Sequence, residues 1–211
     1  MNKAINGTEF VLVGEHHPLR EHVEYYVRER YALAFDATLL VFMPTFACIL
    51  DRDGALLSVC GFRTADSGPL FLEQYLDSPA ETVLSQQFGT VIPRDAVIEF
   101  GQLASFSRGV SLTLFAHLSQ YLVSCGYQWG IFTATGPLQA LMHRFGLQPV
   151  TLQRADACRV ENAATLWGSY YSFLPHVSAG NLVGGATQLS RLLNQSAAVP
   201  GQGRKNGGTH G

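Results

Sequence analysis

The sequence predicts an α/β (α+β) fold in which one central mixed sheet is flanked by helices. Three observations lead there. Strand and helix patterns alternate along most of the chain, which favours crossover connections and parallel pairing. One segment breaks that order: two apolar runs joined by the turn DRDG (51–54) form an antiparallel hairpin, so the sheet must be mixed. Finally, 47% of the 211 residues are hydrophobic and the mean hydropathy is +0.11, enough to close a core around such a sheet.

FVLVG (10–14) reads as a short first strand. Pro18 pre-sets helical φ at the start of PLREHVEYYVRERYALAF (18–35), where Leu19, Val23 and Tyr26 or Val27 fall at helical spacing. The hairpin follows as LLVFMPTFACIL (39–50), DRDG and ALLSVCGFR (55–63). LFLEQYL (70–76) and PAETVLSQQFG (79–89) read as helical pieces, the second closed by Gly89. AVIEFGQLAS (96–105) is a strand. SLTLFAHLSQYLVSCG (111–126) is an amphipathic helix with Leu114, Leu118 and Tyr121 on one face. QWGIFTAT (128–135) is a strand, GPLQALMHRFG (136–146) a short helix and LQPVTLQRA (147–155) the last strand. A right-handed crossover through the helix 111–126 makes residues 97–104 and 128–134 adjacent parallel strands. Beyond Cys158 periodicity weakens: WGSYYSFLPHVSAGNLVGG (167–185) mixes aromatics with turn residues, and TQLSRLLNQ (187–195) reads as a short helix. Residues 1–195 are read as one domain. Residues 196–211, ending GQGRKNGGTHG, offer little apolar surface to offset ordering entropy and are expected to form a dispensable disordered tail.

Charged residues are 14% of the chain, against about 25% in ordinary soluble domains. Much of the surface is therefore neutral or apolar, suited to a greasy ligand, a partner or contact with a membrane surface. A net charge of −2 without a basic stripe argues against nucleic acid as the main partner. MNKAINGTEFVLVG lacks the long apolar core of a secretory signal. The longest uncharged apolar run, 37–50, is shorter than the ~18 residues of a spanning helix and is interrupted by Pro44, so no transmembrane segment is expected. Cys48, Cys60, Cys125 and Cys158 sit in apolar surroundings without a CxxC, and are read as buried free thiols of a cytoplasmic protein. The seven histidines do not cluster, and HExxH, GxSxG and Walker patterns are absent. Zinc protease, serine hydrolase and P-loop readings have no support, and no metal is expected.

The chemistry concentrates in IEFGQLASFSRGVSLTLF (98–115). Glu99 is a lone acid in a strand: either alternation turns it outward, or it is a partly buried carboxylate of raised pKa that can take a proton. Arg63, ending a hairpin strand, is a solvated strand end, a partner for Glu99 or Glu73, or a bidentate holder of a substrate carboxylate. Glu73, among apolar neighbours, is the exposed side of a helical turn or a partner for arginine. Arg108 and Gly109 precede a helix, where a cation opposes the dipole unless an anion is bound. Ser111 reads as the helix N-cap, and Tyr170-Tyr171 as aromatic core or as an acid for a leaving group.

This strand–loop–helix unit is similar to that of the acyl-CoA N-acyltransferase (GNAT) fold, in which a strand splays open at the start of the central helix. Backbone amides and the helix N-terminus there bind the phosphates of a thioester donor. The similarity implies that Leu103, Ala104, Arg108, Gly109 and Ser111 hold the donor. GFRTADSGPLFLEQYLDSPAE, IEFGQLAS, WGIFTAT, LQRADACRV and WGSYYSFLPHVSAG together resemble the bacterial thermostable hemolysin family across nearly all of residues 18–180, with LFLEQYLD the most specific element. That family looks GNAT-like and is related in fold to the acyl-homoserine lactone synthases. In those enzymes a strand glutamate is followed three residues later by arginine, and an earlier strand carries an arginine after glycine or cysteine. Glu99 and Arg63 fit, but Gln102 stands where the second arginine is expected. Acyl transfer therefore stays within what the resemblance implies, whereas lactone formation from S-adenosylmethionine does not. The anion loop keeps only Arg108 and Gly109, which suits the single phosphate of a carrier-protein phosphopantetheine better than a CoA pyrophosphate. The resemblance thus implies transfer of a fatty-acyl group from an acyl carrier protein (ACP) or CoA thioester to a small amine. Glu99 and Arg63 would be catalytic, Glu73 would meet substrate, and acyl-ACP or acyl-CoA would be a donor substrate rather than a bound cofactor. Two alternatives stand beside it: a membrane-active, hemolysin-like protein without catalysis, and a non-catalytic binding module.

Overall fold

The computed structural model describes residues 3–5, 7–105 and 109–198. β1 (Lys3–Ile5) and β2 (Thr8–Val13) form a hairpin about Gly7, whose φ of +81° suits a residue without Cβ. Helix α1 (Arg20–Phe35) buries Val23, Tyr26, Val27 and Tyr31, one face at helical spacing, and ends at Asp36 in the left-handed region. β3 (Thr45–Leu50) and β4 (Leu56–Thr64) pair across the expected turn, where the Asp51 carboxylate accepts from the amides of Asp53 and Ala55, both at 2.9 Å. A 3-10 turn at Phe71–Tyr75 leads to α2 (Ala80–Phe88), β5 (Val97–Ser105), α3 (Val110–Ser124), β6 (Trp129–Ala134), α4 (Gly136–Arg144) and β7 (Val150–Arg154). The described chain ends with α5 (Ala163–Trp167), β8 (His176–Asn181) and α6 (Leu182–Ala198).

The sheet order is β1-β2-β3-β4-β5-β6-β8-β7. Every neighbouring pair is antiparallel except β5 and β6, which run parallel as the crossover argument requires. Strand alternation distributes β3 between two cores. Phe46, Cys48 and Leu50 pack on the α1 face, while Ala47 and Ile49 join Leu114, Leu118 and Leu122 of α3 on the other. A third core joins α2 and the 3-10 turn to Val97, Ile131, Val177 and Ala179.

Several expectations are corrected. The first hairpin strand begins at Thr45, not Leu39; residues 37–44 instead form a strap across the α1 face of the sheet. Its polar backbone is satisfied by side chains: Arg20 donates to the carbonyls of Met43 (2.9 Å) and Pro44 (3.1 Å), and Gln102 bonds Met43 N–H and Val41 C=O. LQPVTLQRA is not the sheet's final strand in sequence. β8 follows it and inserts between β6 and β7. Cys48 and Cys60 are buried, but Cys125 and Cys158 are exposed; all four are free thiols. The last helix takes in residues 196–198, and residues 199–211 of the expected tail lie outside the described residues. No helix among the described residues is long and apolar enough to cross a membrane.

Candidate active site at the opening of the sheet

β5 and β6 pair only from Val97–Trp129 to Phe100–Phe132, although β5 continues to Ser105 and β6 to Ala134. The cause lies in β5. Gly101 pairs with Gly61 but Ala104 with Val59, so β5 carries one residue more than β4, and Gln102 takes a φ of +50°. Such a bulge bends and twists the strand that carries it. The opening holds a cavity of about 610 Å³ that reaches Ser111 and Phe115 of α3 and Leu138 of α4. A second cavity, of about 220 Å³, lies under the strap. The two share Tyr31, Phe100, Gly101, Gln102, Thr133 and Tyr170, so they meet where the strands part.

Glu99 lines the smaller cavity and is only 2% exposed, so the outward-facing reading fails. Its Oε2 accepts from the amide of Phe71 and its Oε1 from that of Leu72, both at 2.9 Å, at the start of the 3-10 turn. Burial pushes its carboxyl above the ordinary value, opposed by Arg63 and the two amides and reinforced by Glu73. A carboxylate oxygen has two lone pairs, and Oε1, which accepts only from Leu72, retains one for a ligand. Arg63 is its direct cross-strand neighbour, with Nε 3.4 Å from Oε2. The same Nε lies 3.4 Å from Met43 Sδ, and neither Nη nitrogen has a partner among the described residues. Arg63 also lines the smaller cavity.

Glu73 lies elsewhere. Its oxygens pair with Arg94 (2.7 and 3.1 Å) and accept from the amides of Leu70 (2.8 Å) and Ala80 (2.9 Å). It lines neither of the two cavities, and these bonds give it a structural role between the 3-10 turn and α2. Burial acts to raise its pKa, but Arg94 and the two amides outweigh that and hold it at about 2. Arg94 also pairs with Glu81 at 2.7 Å, closing a network that ties the 3-10 turn to α2.

Of the residues expected at the donor, Leu103 and Ser111 line the larger cavity. Ala104 is buried in the α1-side core instead, so only its backbone could face a ligand. Gly109, not Ser111, is the N-cap of α3, with a φ of +88°. Arg108 lies outside the described residues. Tyr170 is buried between the cavities, and Tyr171 shares a 2.7 Å hydrogen bond with Tyr75. Cys60 lines the larger cavity, but burial pushes its thiol up to about 12, which keeps it protonated at neutral pH. Among the described residues, no cluster of three or more His, Cys, Asp or Glu is placed to hold a metal ion.

Two contributors escaped the sequence reading. The amides of Phe71 and Leu72 that hold Glu99 carry no side-chain signal. Gln102, which stands where the resemblance expects an arginine, clasps the strap. The aromatic richness of LFLEQYL and WGSYY was the visible trace of the smaller cavity's walls.

The family model described as thermostable hemolysin matches residues 13–186. No curated protein matches the chain. Among solved structures, the CoA-dependent acyl-homoserine lactone synthase BjaI with MTA superposes with a TM-score of 0.62 at 11% identity, over 89% of this chain and 90% of that one. FeeM, an N-acyl amino acid synthase from uncultured soil microbes, gives 0.59 at 13% identity over 90% and 98%. The acyl-homoserine lactone synthase LasI gives 0.53 at 13% identity over 83% and 91%. At such identities the likeness is one of fold, and the fold is GNAT-like.

Proposed function

We propose that this chain, which belongs to the thermostable hemolysin family, is an N-acyltransferase that moves a fatty-acyl group from an ACP or CoA thioester to a small amine. One observation carries the reading: two cavities meet at the opening between β5 and β6, and the smaller one contains a buried carboxylate. The solved structures of similar fold are, by their descriptions, acyl-homoserine lactone and N-acyl amino acid synthases, which supports the same reaction class.

The donor's acyl chain fits the larger cavity, whose walls are mainly apolar. Its pantetheine arm would leave past the backbone of Leu103 and Ala104 toward Gly109 and Ser111 at the start of α3, where the helix dipole favours a phosphate. The reduced loop favours a carrier-protein donor over CoA. The amine enters the smaller cavity and attacks the thioester carbon. A C–N bond forms, the C–S bond breaks, and the sulfur leaves as thiolate. The surplus proton on nitrogen passes to Glu99, directly or through one water, and from there to the thiolate or solvent. The raised pKa of Glu99 brings it closer to that task, and the neighbouring Arg63 charge opposes the rise that burial causes. Transfer is direct, because the protonated Cys60 is no nucleophile. Both donor types and this chemistry belong in the cytoplasm.

The test is free-thiol release and product mass with purified protein, acyl-ACP or acyl-CoA, and a mixture of amines. Amine-dependent thiol release is expected in the wild type, and it should collapse in Glu99→Gln. Absence of release from either donor would remove the enzymatic reading. Liposome leakage that persists in Glu99→Gln would favour the membrane-active alternative.

A further inference from the structure

We infer that the acceptor is an α-amino acid with a bulky aromatic side chain, its carboxylate on Arg63 and its ring among the rings of the smaller cavity. The inference rests on the acyl-transfer reading and fills in its acceptor site. It begins with unused hydrogen-bonding capacity. Arg63 is held at Nε by Glu99 and Met43 Sδ, while both Nη nitrogens, with no partner among the described residues, belong to a side chain that lines the cavity. A guanidinium fork anchored at its stem is built to meet a planar anion bidentately. The other charges on this cavity are Glu99 and the exposed Glu161. An acceptor carrying only an ammonium would face Arg63 with its own sign of charge, whereas an amino acid offers both signs from one carbon. With its carboxylate on Arg63, the α-nitrogen comes within reach of Glu99, because Arg63 Nε and Glu99 Oε2 are 3.4 Å apart.

The remaining walls decide the side chain. Phe71, Tyr75, Trp167 and Tyr170 all line the cavity. These rings pack on one another, with centroids 5.5 Å (Phe71–Trp167), 5.3 Å (Trp167–Tyr170) and 6.1 Å (Phe71–Tyr75) apart, and so form a continuous aromatic wall against which a ligand's ring can pack in the same way. The Tyr75 hydroxyl is occupied by Tyr171, so Tyr75 presents its ring rather than a polar group. At about 220 Å³ the space is below the roughly 300–1,000 Å³ of sites for drug-sized ligands, and suits one amino acid.

The experiment compares phenylalanine, phenethylamine and glycine as acceptors for the unaltered protein with one acyl donor, and repeats the first two with Arg63→Gln. Phenylalanine should exceed phenethylamine roughly 10- to 100-fold in kcat/KM for the lost charge-assisted bonds. It should exceed glycine by a similar factor for the lost apolar burial. Because Arg63 also bears on Glu99, Arg63→Gln should slow both acceptors, but it should cut the phenylalanine-to-phenethylamine ratio of kcat/KM by about the first factor; an unchanged ratio overturns the inference. Equal use of phenethylamine or of glycine overturns the inference while acyl transfer itself stands. If no amine is acylated, the reaction reading fails, and thermal shifts of the same protein decide the binding claim. Stabilisation by millimolar phenylalanine but not phenethylamine upholds the site; no such difference overturns it.

Discussion

Replacing Glu99 by glutamine changes two things at once, and the structure lets them be separated. The side chain keeps its length, but one oxygen becomes an NH₂ group facing the amide of Phe71 or Leu72, each now 2.9 Å from a carboxylate oxygen. A buried donor left without its acceptor costs about 1–3 kcal/mol. Part of that is offset because the neutral amide escapes the burial penalty that raises the carboxyl's pKa. A net loss of about 1–2 kcal/mol, at ~2–4 °C per kcal/mol for a chain of this size, predicts a fall in Tm of about 2–8 °C. Against a total stability of roughly 5–15 kcal/mol the variant stays folded at 25 °C. Loss of the base lowers turnover by about 10²–10⁴, far beyond what that unfolding explains. The assay is thiol release at saturating donor and acceptor, beside circular-dichroism melts of the same preparations. In the wild type, activity should rise with pH through a value above the ordinary carboxylate range, since the base must lose its proton, and the variant should lose that limb. A folded Glu99→Gln protein with wild-type turnover would refute the assignment, leaving Glu99 as the cap of the 3-10 turn at Phe71–Tyr75.

Gly109→Val should raise the KM for donor more than it lowers kcat. An added Cβ meets nothing within 4 Å, so the effect comes from the φ of +88° and from crowding of an approaching phosphate. Gly61→Ala should destabilise by about 1–3 kcal/mol, because its Cβ would lie 2.6 Å from Met43 Cβ. Gly101→Ala should cost less, since its close contact is with Met43 Cε, the far end of an unbranched side chain, and Met43→Ala should rescue it in a double-mutant cycle of chemical melts. Glu73 stabilises the fold above its ordinary value of 4.5, and this is lost as pH falls toward about 2. The Tm difference between pH 6 and pH 3 should therefore shrink in Glu73→Gln.

The parallel pair and the hairpin turn were legible because each is written locally, in periodicity and one crossover or in DRDG, whereas the sequence left Arg63 open between Glu99, Glu73, solvent and substrate, and only the pairing of β4 with β5 sets it beside Glu99. β8 was not. HVSAGN is short, small-residued and preceded by Pro175, and its burial comes from neighbours on both sides rather than from its own pattern. The strap misled for the opposite reason. LLVFMP carries strand-like apolar residues, but what fixes it is Arg20 and Gln102, the latter 59 residues from Met43. Glu73 is expected at substrate only through the resemblance carried by LFLEQYLD, and its partner Arg94 lies 21 residues on with no local signal of the pairing.

Gln102 is both the bulged residue that opens the sheet and the clasp on the strap, while Met43 of that strap rests on Gly61 and Gly101. These positions form one inheritable unit. A segment 37–44 grafted from a relative would arrive without its seat unless residues 61, 101 and 102 travelled with it. Single substitutions in the strap should then loosen the cavity beneath it, and reshaping that cavity should require exchange of the whole set.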